Sequence, residues 1–315
     1  MNSEVITEQT FEEKETAKTA VIAKDLLAGT AGGTAQLLVG HPFDTIKVKL
    51  QNQPWVPPGQ TPQYTGAIDA VKKTVGKEGL GGLYKGMGAP LAFVAVFNAV
   101  LFASNGQMKR IVHGEDDKSL MTIPEFALCG AGAGLAVSFV ACPTELIKCR
   151  LQAQSADSAT VYKGPVDCAR QVWKSRGTLG LFKGLGATLG REVPANAIYF
   201  SVYEYTKGLF VPQGGSKEDL GSGALLLAGG IAGLMFWGTV YPIDVVKTRI
   251  QTDSDTLPKF RGIVDATRKI VQQEGLRGLY KGFLPCLARA FPANAVTFLT
   301  YEAVAHFLER QFGLR

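Results

Sequence analysis

The sequence predicts an all-α membrane protein, and three observations lead to this fold class. Charged residues make up only 19% of the 315 residues, while hydrophobic residues make up 46%. A typical soluble domain has about a quarter of its residues charged. Long apolar segments recur along the chain, and one set of motifs occurs three times at nearly constant spacing.

Six hydrophobic segments predict six membrane-crossing helices. Four of them contain no Asp, Glu, Lys or Arg: residues 26–43, 86–108, 126–144 and 220–243. Two more segments of similar length contain charge: 184–203, with Arg191 and Glu192, and 282–301, with Arg289. Each comes close to the roughly 20 residues that a helix needs to cross a bilayer. Six such segments at even spacing favour a polytopic membrane protein over a soluble domain.

The cysteines, the N-terminal charges and the absence of catalytic motifs exclude several other classes of protein. The five cysteines form no CxxC pair and are odd in number, which argues against a disulfide framework or a metal site. Residues 1–20 hold five acids against two lysines, so they do not resemble a transit peptide, and we expect residues 1–22 to form an acidic flexible tail. No GxSxG, HExxH or GxxxxGK[ST] motif occurs, so we predict no catalytic residue, metal or cofactor, and no nucleic-acid partner.

Each repeat begins with a proline motif. A proline is followed two residues later by an acid, three further on by a lysine and four further on by a glutamine. The three copies are Pro42, Asp44, Lys47, Gln51; Pro143, Glu145, Lys148, Gln152; and Pro242, Asp244, Lys247, Gln251. This recurrence predicts three equivalent helices.

Two triplets that end in glycine follow each proline motif. The first ends at Gly66, Gly164 and Gly262, and the second at Gly86, Gly184 and Gly282, always 98 residues apart. The repeated unit reads as a membrane helix, a polar loop, a short amphipathic helix at about 66–77, 164–175 and 262–273, and a second membrane helix that starts at the second triplet. We therefore predict repeats at 23–115, 120–212 and 220–312.

The proline motif has the chemistry of a gate. Proline inside a helix removes a hydrogen-bond donor and kinks the helix, so three such helices can converge. The acid and the lysine are three residues apart and share one helical face. Around a threefold axis each acid can then pair with a lysine of a neighbouring helix. A ring of such pairs can be closed in one state and open in another.

This motif set resembles the signature of the mitochondrial carrier family (solute carrier family 25), from about residue 22 to the end of the chain. The resemblance implies a threefold pseudosymmetric bundle of six transmembrane helices and three short matrix helices around a central cavity. It implies a monomer in the mitochondrial inner membrane, with both termini toward the intermembrane space. The proline motifs would form a matrix gate braced by the glutamines, and the glycine triplets would bind cardiolipin at helix N-termini.

The family's second gate is incomplete in this sequence. Its motif is present at the end of the second membrane helix of repeat 2 as Glu204 and Lys207. The second membrane helix of repeat 1 keeps only Lys109, and that of repeat 3 keeps only Glu302. Two acids and two bases remain instead of three of each. The resemblance therefore implies a weaker cytoplasmic gate and a resting bias toward the state open to the cytoplasm.

Charges inside the membrane segments indicate the substrate. Arg191 and Arg289 occupy the same position of repeats 2 and 3, where repeat 1 has Phe93. Buried ionisable groups are costly in a membrane and are candidates for function. Two guanidinium groups suit a carboxylate, and Glu192 offers a counter-charge to a positive nitrogen. Adjacent residues point about 100° apart on a helix, so we expect poor direct pairing of Arg191 with Glu192, with mutual neutralisation as the alternative.

Within the family, the stretches 191–194 and 289–295 resemble the carnitine/acylcarnitine and amino-acid branch, most closely its plant-type carnitine/acylcarnitine-carrier-like members. The implied function is alternating-access exchange of a zwitterion against a counter-substrate: carnitine or acylcarnitine, a basic amino acid, or glutamate. Phe93 would line a third contact point. His41 would either contact substrate or pack between helices. The alternatives are a proton or fatty-acid-anion leak carrier and a non-transporting scaffold on the same fold.

Overall fold

The computed structural model describes residues 2–57, 59–114, 120–154, 162–211 and 220–312, without the side chains of residues 2–23, 25 and 222. This part of the chain is helical and contains no strand, so the predicted all-α class is confirmed. Its helices are α1 (Asn2–Asn52), α2 (Ala67–Glu78), α3 (Gly88–His113), α4 (Ile123–Ala153), α5 (Pro165–Leu181), α6 (Leu185–Phe210), α7 (Ser222–Thr252), α8 (Ile263–Glu274) and α9 (Phe283–Phe312). Short 3₁₀ helices at Leu80–Tyr84 and Leu276–Tyr280 precede α3 and α9.

The six long helices form a closed ring. Each of α1, α3, α4, α6, α7 and α9 packs against the next one in chain order, and α9 packs back against α1. The three proline-motif helices, α1, α4 and α7, also contact one another. This arrangement matches three repeats of two long helices each around a common axis.

Three long helical spans within the described residues are long and apolar enough to cross a membrane: Leu80–His113, Ile123–Ala153 and Gly223–Thr252. The other long helices, α1, α6 and α9, complete the ring between them. Two of these carry the intramembrane charges, at Arg191, Glu192 and Arg289. Length and apolarity alone therefore identify three membrane-crossing helices, and the packing of the ring adds the other three.

The three short helices lie where the sequence predicts them, to within about one residue at α2 and α8. Gly79 and Gly275 end these two helices with φ of +70° and +69°. The third helix, α5, extends to Leu181, but its helical backbone is interrupted at Gly177, which has φ of +64°. Glycine adopts this left-handed conformation without strain, so all three amphipathic segments stop at the same register.

The apolar face of each short helix packs against the C-terminal half of the proline-motif helix before it. In repeat 2, Leu146 and Leu151 of α4 pack against Cys168 and Val172 of α5. Repeats 1 and 3 have corresponding buried clusters between α1 and α2 and between α7 and α8. The clusters fix the ends of three helices that continue through Pro42, Pro143 and Pro242. We call this end of the bundle the proline-motif end.

The acidic N-terminal segment differs from the predicted tail in its backbone. Helix α1 begins at Asn2, so residues 2–22 continue the first long helix. The side chains of residues 1–23 lie outside the described part of the chain. The predicted flexibility and solvation of this segment therefore remain predictions.

Candidate functional site

Three ion pairs form a ring at the proline-motif end, which we call the proline-motif ring. Each joins a lysine to an acid on a different helix: Lys148 to Asp44 at 2.5 Å, Lys247 to Glu145 at 2.5 Å, and Lys47 to Asp244 at 2.7 Å. All six predicted residues thus come together, and the ring is closed in this structure. Three of the six residues, Lys47, Asp244 and Lys247, are buried, and the other three are partly buried.

The three glutamines are fully buried beside the ring but bind different partners. Gln51 donates to the ring acid Asp244 at 3.3 Å and to the Tyr241 hydroxyl at 3.2 Å. Gln152 donates to the Thr45 hydroxyl at 2.9 Å, and Gln251 contacts the Cys142 carbonyl oxygen at 3.4 Å. Among the described contacts, only Gln51 braces a ring pair directly.

The residue immediately before each motif proline forms a contact that the sequence analysis missed. The Tyr241 hydroxyl donates to the Lys281 carbonyl oxygen at 2.8 Å, and a ring nitrogen of His41 lies 2.8 Å from the Lys85 carbonyl oxygen. The Cys142 thiol lies 3.8 Å from the Lys183 carbonyl oxygen. These side chains tie each proline-motif helix to the basic residue of the second triplet in its own repeat. In the sequence, the feature that these three residues share is their position one residue before the motif proline.

The second-triplet glycines pack against the next repeat. Gly86, Gly184 and Gly282 have φ between +78° and +85°, which favours glycine. A Cβ atom on Gly86 would lie 2.9 Å from the Lys148 carbonyl oxygen, and one on Gly282 would lie 3.0 Å from that of Lys47. These glycines therefore permit close packing beside the ring lysines, a role separate from the predicted lipid binding.

The expectation that Arg191 and Glu192 pair poorly is wrong. The Arg191 guanidinium contacts the Glu192 carboxylate directly and also donates to Glu145 of the ring at 2.7 Å. Its other terminal nitrogen lies 3.8 Å from Asp244. The long arginine side chain can bend along its helix, so the angle between neighbouring Cα–Cβ bonds does not prevent the contact. Mutual neutralisation and a link to the ring occur together.

Arg289 also reaches the ring. Its Nε atom lies 3.4 Å from Asp44, and its guanidinium stands over the Trp237 ring, 5.7 Å from the centroid. The ammonium group of Lys47 lies over the same indole at 4.4 Å. Trp237 is therefore a cation-binding aromatic beside the proline-motif ring, because both cations lie within the roughly 6 Å over which cation–π attraction is significant. Trp237 lies five residues before Pro242 but outside the repeated motifs, so the sequence pattern does not single it out.

The two remaining predicted contact residues lie differently. His41 has no exposed surface, stacks on Tyr84 and contacts Lys85 and Gln152, which is the packing alternative of the two predicted for it. Phe93 has 46% of its surface exposed and shares no described contact with Arg191 or Arg289. Arg191, which is paired with Glu192, and Arg289 both reach the proline-motif ring, but through different ring acids.

The opposite end of the bundle is held differently. Lys207 donates to Glu204 at 3.1 Å, but both residues belong to α6, so this pair does not join two helices. Lys109 on α3 stands over the Phe126 ring of α4 at 5.7 Å. Lys24 and Glu309 form a pair between α1 and α9 at 2.9 Å. The closed ring of three inter-helix pairs is found at the proline-motif end.

Comparison with known proteins shows how general this architecture is. The family model described as "Mitochondrial carrier protein" matches three consecutive segments, residues 18–116, 120–214 and 218–312. These matches coincide with the three structural repeats and cover nearly the whole chain.

Individual relatives are similar over almost their full length. A "Mitochondrial carnitine/acylcarnitine carrier-like protein" of Arabidopsis thaliana is 58% identical over 89% of this chain and 96% of its own length. The human "Mitochondrial carnitine/acylcarnitine carrier protein" is 41% identical, covering 90% and 94%. A "Mitochondrial basic amino acids transporter" of Bos taurus is 41% identical, covering 91% and 92%. Because the family model matches in three tandem copies and these relatives align end to end, the chain belongs to the mitochondrial carrier family.

Proposed function

We propose that this carrier exchanges a small zwitterion across the mitochondrial inner membrane by alternating access, with transport and no catalysis. The observation that carries the proposal is that both arginines of the membrane segments contact acids of the proline-motif ring. Arg191 contacts Glu145 at 2.7 Å, and Arg289 lies 3.4 Å from Asp44. A ligand carboxylate that takes over these arginines changes the partners of the ring acids. Binding is thereby coupled to the gate.

The buried Arg191–Glu192 pair favours a zwitterion over an anion. Both side chains are nearly fully buried, at 6% and 4% exposed, and separating such a pair leaves two uncompensated charges. A zwitterion supplies a carboxylate for Arg191 and a positive nitrogen for Glu192, so both charges keep a partner. A dicarboxylate would leave Glu192 without one. The names of these relatives suit this chemistry, since they include carnitine, acylcarnitine and basic amino acids.

The proposed orientation places the proline-motif end toward the matrix and both termini toward the intermembrane space. The closed ring then seals the matrix side, so the site opens toward the cytoplasmic side. Proteoliposomes with the carrier in one orientation test this, because membrane-impermeant reagents reach the two ends from opposite faces. We propose that a single chain acts as a monomer, since its helices close a ring without a partner.

We also propose that cardiolipin binds between repeats at the glycine triplets. The first-triplet glycines, Gly66, Gly164 and Gly262, start α2, α5 and α8, and a Cβ atom there would meet nothing within 4 Å. Free N–H groups at a helix N-terminus attract phosphate. Added cardiolipin should raise the melting temperature of the purified carrier, and replacing all three glycines by aspartate, whose carboxylate repels phosphate and whose side chain has room there, should reduce that increase.

The test of the transport function is uptake into liposomes preloaded with one candidate each: carnitine, acylcarnitine, arginine, lysine, ornithine, glutamate, malate or ADP. Fast exchange of carnitine or of an amino acid supports the proposal and selects the substrate. Arg289→Ala should abolish it, whereas Arg268→Ala, at an exposed position of α8, should not. Exchange of malate or ADP alone contradicts the zwitterion, and proton flux without counter-substrate indicates the leak carrier instead.

A further inference from the structure

A second basic residue stands two positions after each motif lysine, at Lys49, Arg150 and Arg249. Each of them needs an acid, and repeats 1 and 3 supply it in the same way. Lys49 donates to Glu78 at 2.5 Å, and Lys85 of the second triplet pairs with the same carboxylate at 2.5 Å. Glu78 is the last residue of α2. Repeat 3 has the same arrangement at 2.7 Å for both pairs, formed by Arg249, Lys281 and the last residue of α8, Glu274.

Repeat 2 has the opposite charge at this position. Arg176 stands 98 residues after Glu78 and 98 before Glu274. The turn at this position is alike in all three repeats, since a glycine with φ between +64° and +70° follows each of these residues. The Arg176 Cβ lies 2.7 Å from the Cβ position of Gly180, as the Glu274 Cβ does from that of Gly278. Only the side chain differs, so Arg150 and Lys183 lack the helix-end acid of the other repeats.

An acid from repeat 3 takes this place. Asp255, in the loop after α7, accepts two hydrogen bonds from the Arg150 guanidinium, at 2.7 and 2.8 Å, and one from Lys183 at 3.1 Å. Its side chain is only 13% exposed. Arg176 in turn donates to the Asp255 backbone carbonyl oxygen at 2.5 Å. The reversed charge thus helps to hold the loop that brings the acid.

These contacts concentrate at the seam between repeats 2 and 3. Arg150 Nε donates to the Gln251 carbonyl oxygen at 3.0 Å, and Lys183 donates to the carbonyl oxygens of Asp253 and Ser254 at 2.5 and 3.2 Å. Arg249 makes a similar carbonyl contact across the seam between repeats 3 and 1, but its carboxylate partner belongs to its own repeat. In the described contacts of these basic residues, only repeat 2 takes its carboxylate from another repeat.

We propose that Asp255 is the relocated acid of repeat 2, and that it holds the proline-motif end closed at the seam between repeats 2 and 3. Bidentate contact with a buried guanidinium is a strong, geometrically defined interaction. Any motion that separates α4 from the loop after α7 must break it. Asp255 is therefore a positioning residue for the gate. The gating part rests on the proposed alternating access, whereas the relocation of the acid does not.

Two variants separate the two roles. Asp255→Asn removes the acid and with it the ionic tie between repeats, while the contacts to backbone carbonyl oxygens across the seam stay in place. Asp255→Asn combined with Arg176→Glu returns an acid to the helix end, where Glu78 and Glu274 stand in the other repeats, without restoring the tie. The matched control is Asp265→Asn, which removes a half-exposed pair with Lys269 within α8 and keeps a side-chain oxygen that can accept from the Arg261 amide.

Two measurements on the purified carrier need no transport substrate. The first is the melting temperature. The second is the maleimide-labelling rate of Cys149, which is 6% exposed and follows the ring lysine Lys148 in the chain, so we expect it to become more accessible when this end opens. The labelling variants carry serine in place of the other cysteines, Cys129, Cys142, Cys168 and Cys286.

We expect Asp255→Asn to lower the melting temperature by about 5 °C and to speed Cys149 labelling about threefold. The double variant should regain the melting temperature but keep the faster labelling, and Asp265→Asn should change neither. An unchanged melting temperature in Asp255→Asn, or a double variant that stays unstable, overturns the relocated acid. Labelling at the parent rate in both variants overturns the tie. A carrier that fails to exchange any zwitterion contradicts the proposed function and leaves both readouts interpretable.

Discussion

Arg191 on α6 donates to Glu145 on α4 at 2.7 Å while Glu145 also accepts Lys247 at 2.5 Å. One carboxylate of the proline-motif ring is thus shared between a gate lysine and a candidate substrate-binding arginine. A substrate carboxylate that binds Arg191 releases one of these two contacts. The arrangement gives a direct physical route from ligand binding to the strength of the ring.

The first prediction concerns the shared carboxylate. Glu145→Gln leaves Lys247 and Arg191 with weaker partners, and losing one member of a buried charge network costs about 3 kcal/mol. We expect a clear fall in the melting temperature of the purified carrier. Glu309→Gln is the control, because its pair with Lys24 is partly exposed and is worth at most about 1 kcal/mol. Equal effects of the two substitutions would contradict the role of Glu145 in the ring.

The second prediction distinguishes charge from geometry at Arg289. Arg289→Lys keeps a positive charge near Asp44 but loses the planar fork that binds a carboxylate bidentately. We expect exchange to fall about tenfold or more at subsaturating substrate, a loss of roughly 1.4 kcal/mol of binding, with little change in melting temperature. Initial exchange rates at several substrate concentrations measure this, with Arg268→Lys as control. An unaltered half-saturation concentration in Arg289→Lys would show that the fork does not hold the substrate.

Much of the fold follows from the sequence because its signals are local and occur three times. The second triplet glycines predict the starts of α3, α6 and α9 to within two residues, since a left-handed glycine precedes each helix. The three-residue spacing of acid and lysine places both on one face of each proline-motif helix. Threefold repetition then supplies the neighbouring helix for each pair.

The neighbours of Arg191 could not be predicted in this way. Its contact with Glu145 depends on how α4 and α6 lie against each other, which residue spacing within one helix does not specify. In the structure Gly130 and Gly134 allow this approach, since a Cβ atom on either would lie 2.4–2.5 Å from a carbonyl oxygen of α6. Asp255 was missed for a related reason. It lies in a loop, outside the repeated motifs, and its partners belong to another repeat.

The third prediction tests the contact before the proline. Tyr241→Phe removes the hydroxyl that donates to the Lys281 carbonyl oxygen and accepts from Gln51. Tyr241 is fully buried, so leaving these groups without a partner costs about 1–3 kcal/mol. Thermal unfolding should show the loss, whereas Tyr205→Phe, at a position 58% exposed, should stay within about 0.5 kcal/mol of the parent. A Tyr241→Phe carrier as stable as the parent would make the hydroxyl contacts unimportant.

The last prediction is a pH dependence at Asp255. Burial alone would raise the pKa of this carboxyl group, but the hydrogen bonds and charges of Arg150 and Lys183 outweigh burial and lower the pKa to about 2. The unfolded chain has a pKa near 3.9 at such a residue. The folded state therefore binds the proton less readily, and the stabilisation is complete above about pH 4 and is lost as the pH falls toward 2.

The measurement is the difference in melting temperature between the parent and Asp255→Asn as a function of pH. We expect this difference to be constant from pH 8 to pH 5, because Asp255 is ionised in both states of the chain there, and to shrink below about pH 4. Taking the difference cancels the titration of other groups common to both proteins. A difference that already disappears between pH 7 and pH 5 would mean that a group titrating near neutrality, and not the Asp255 carboxylate, holds the seam between repeats 2 and 3.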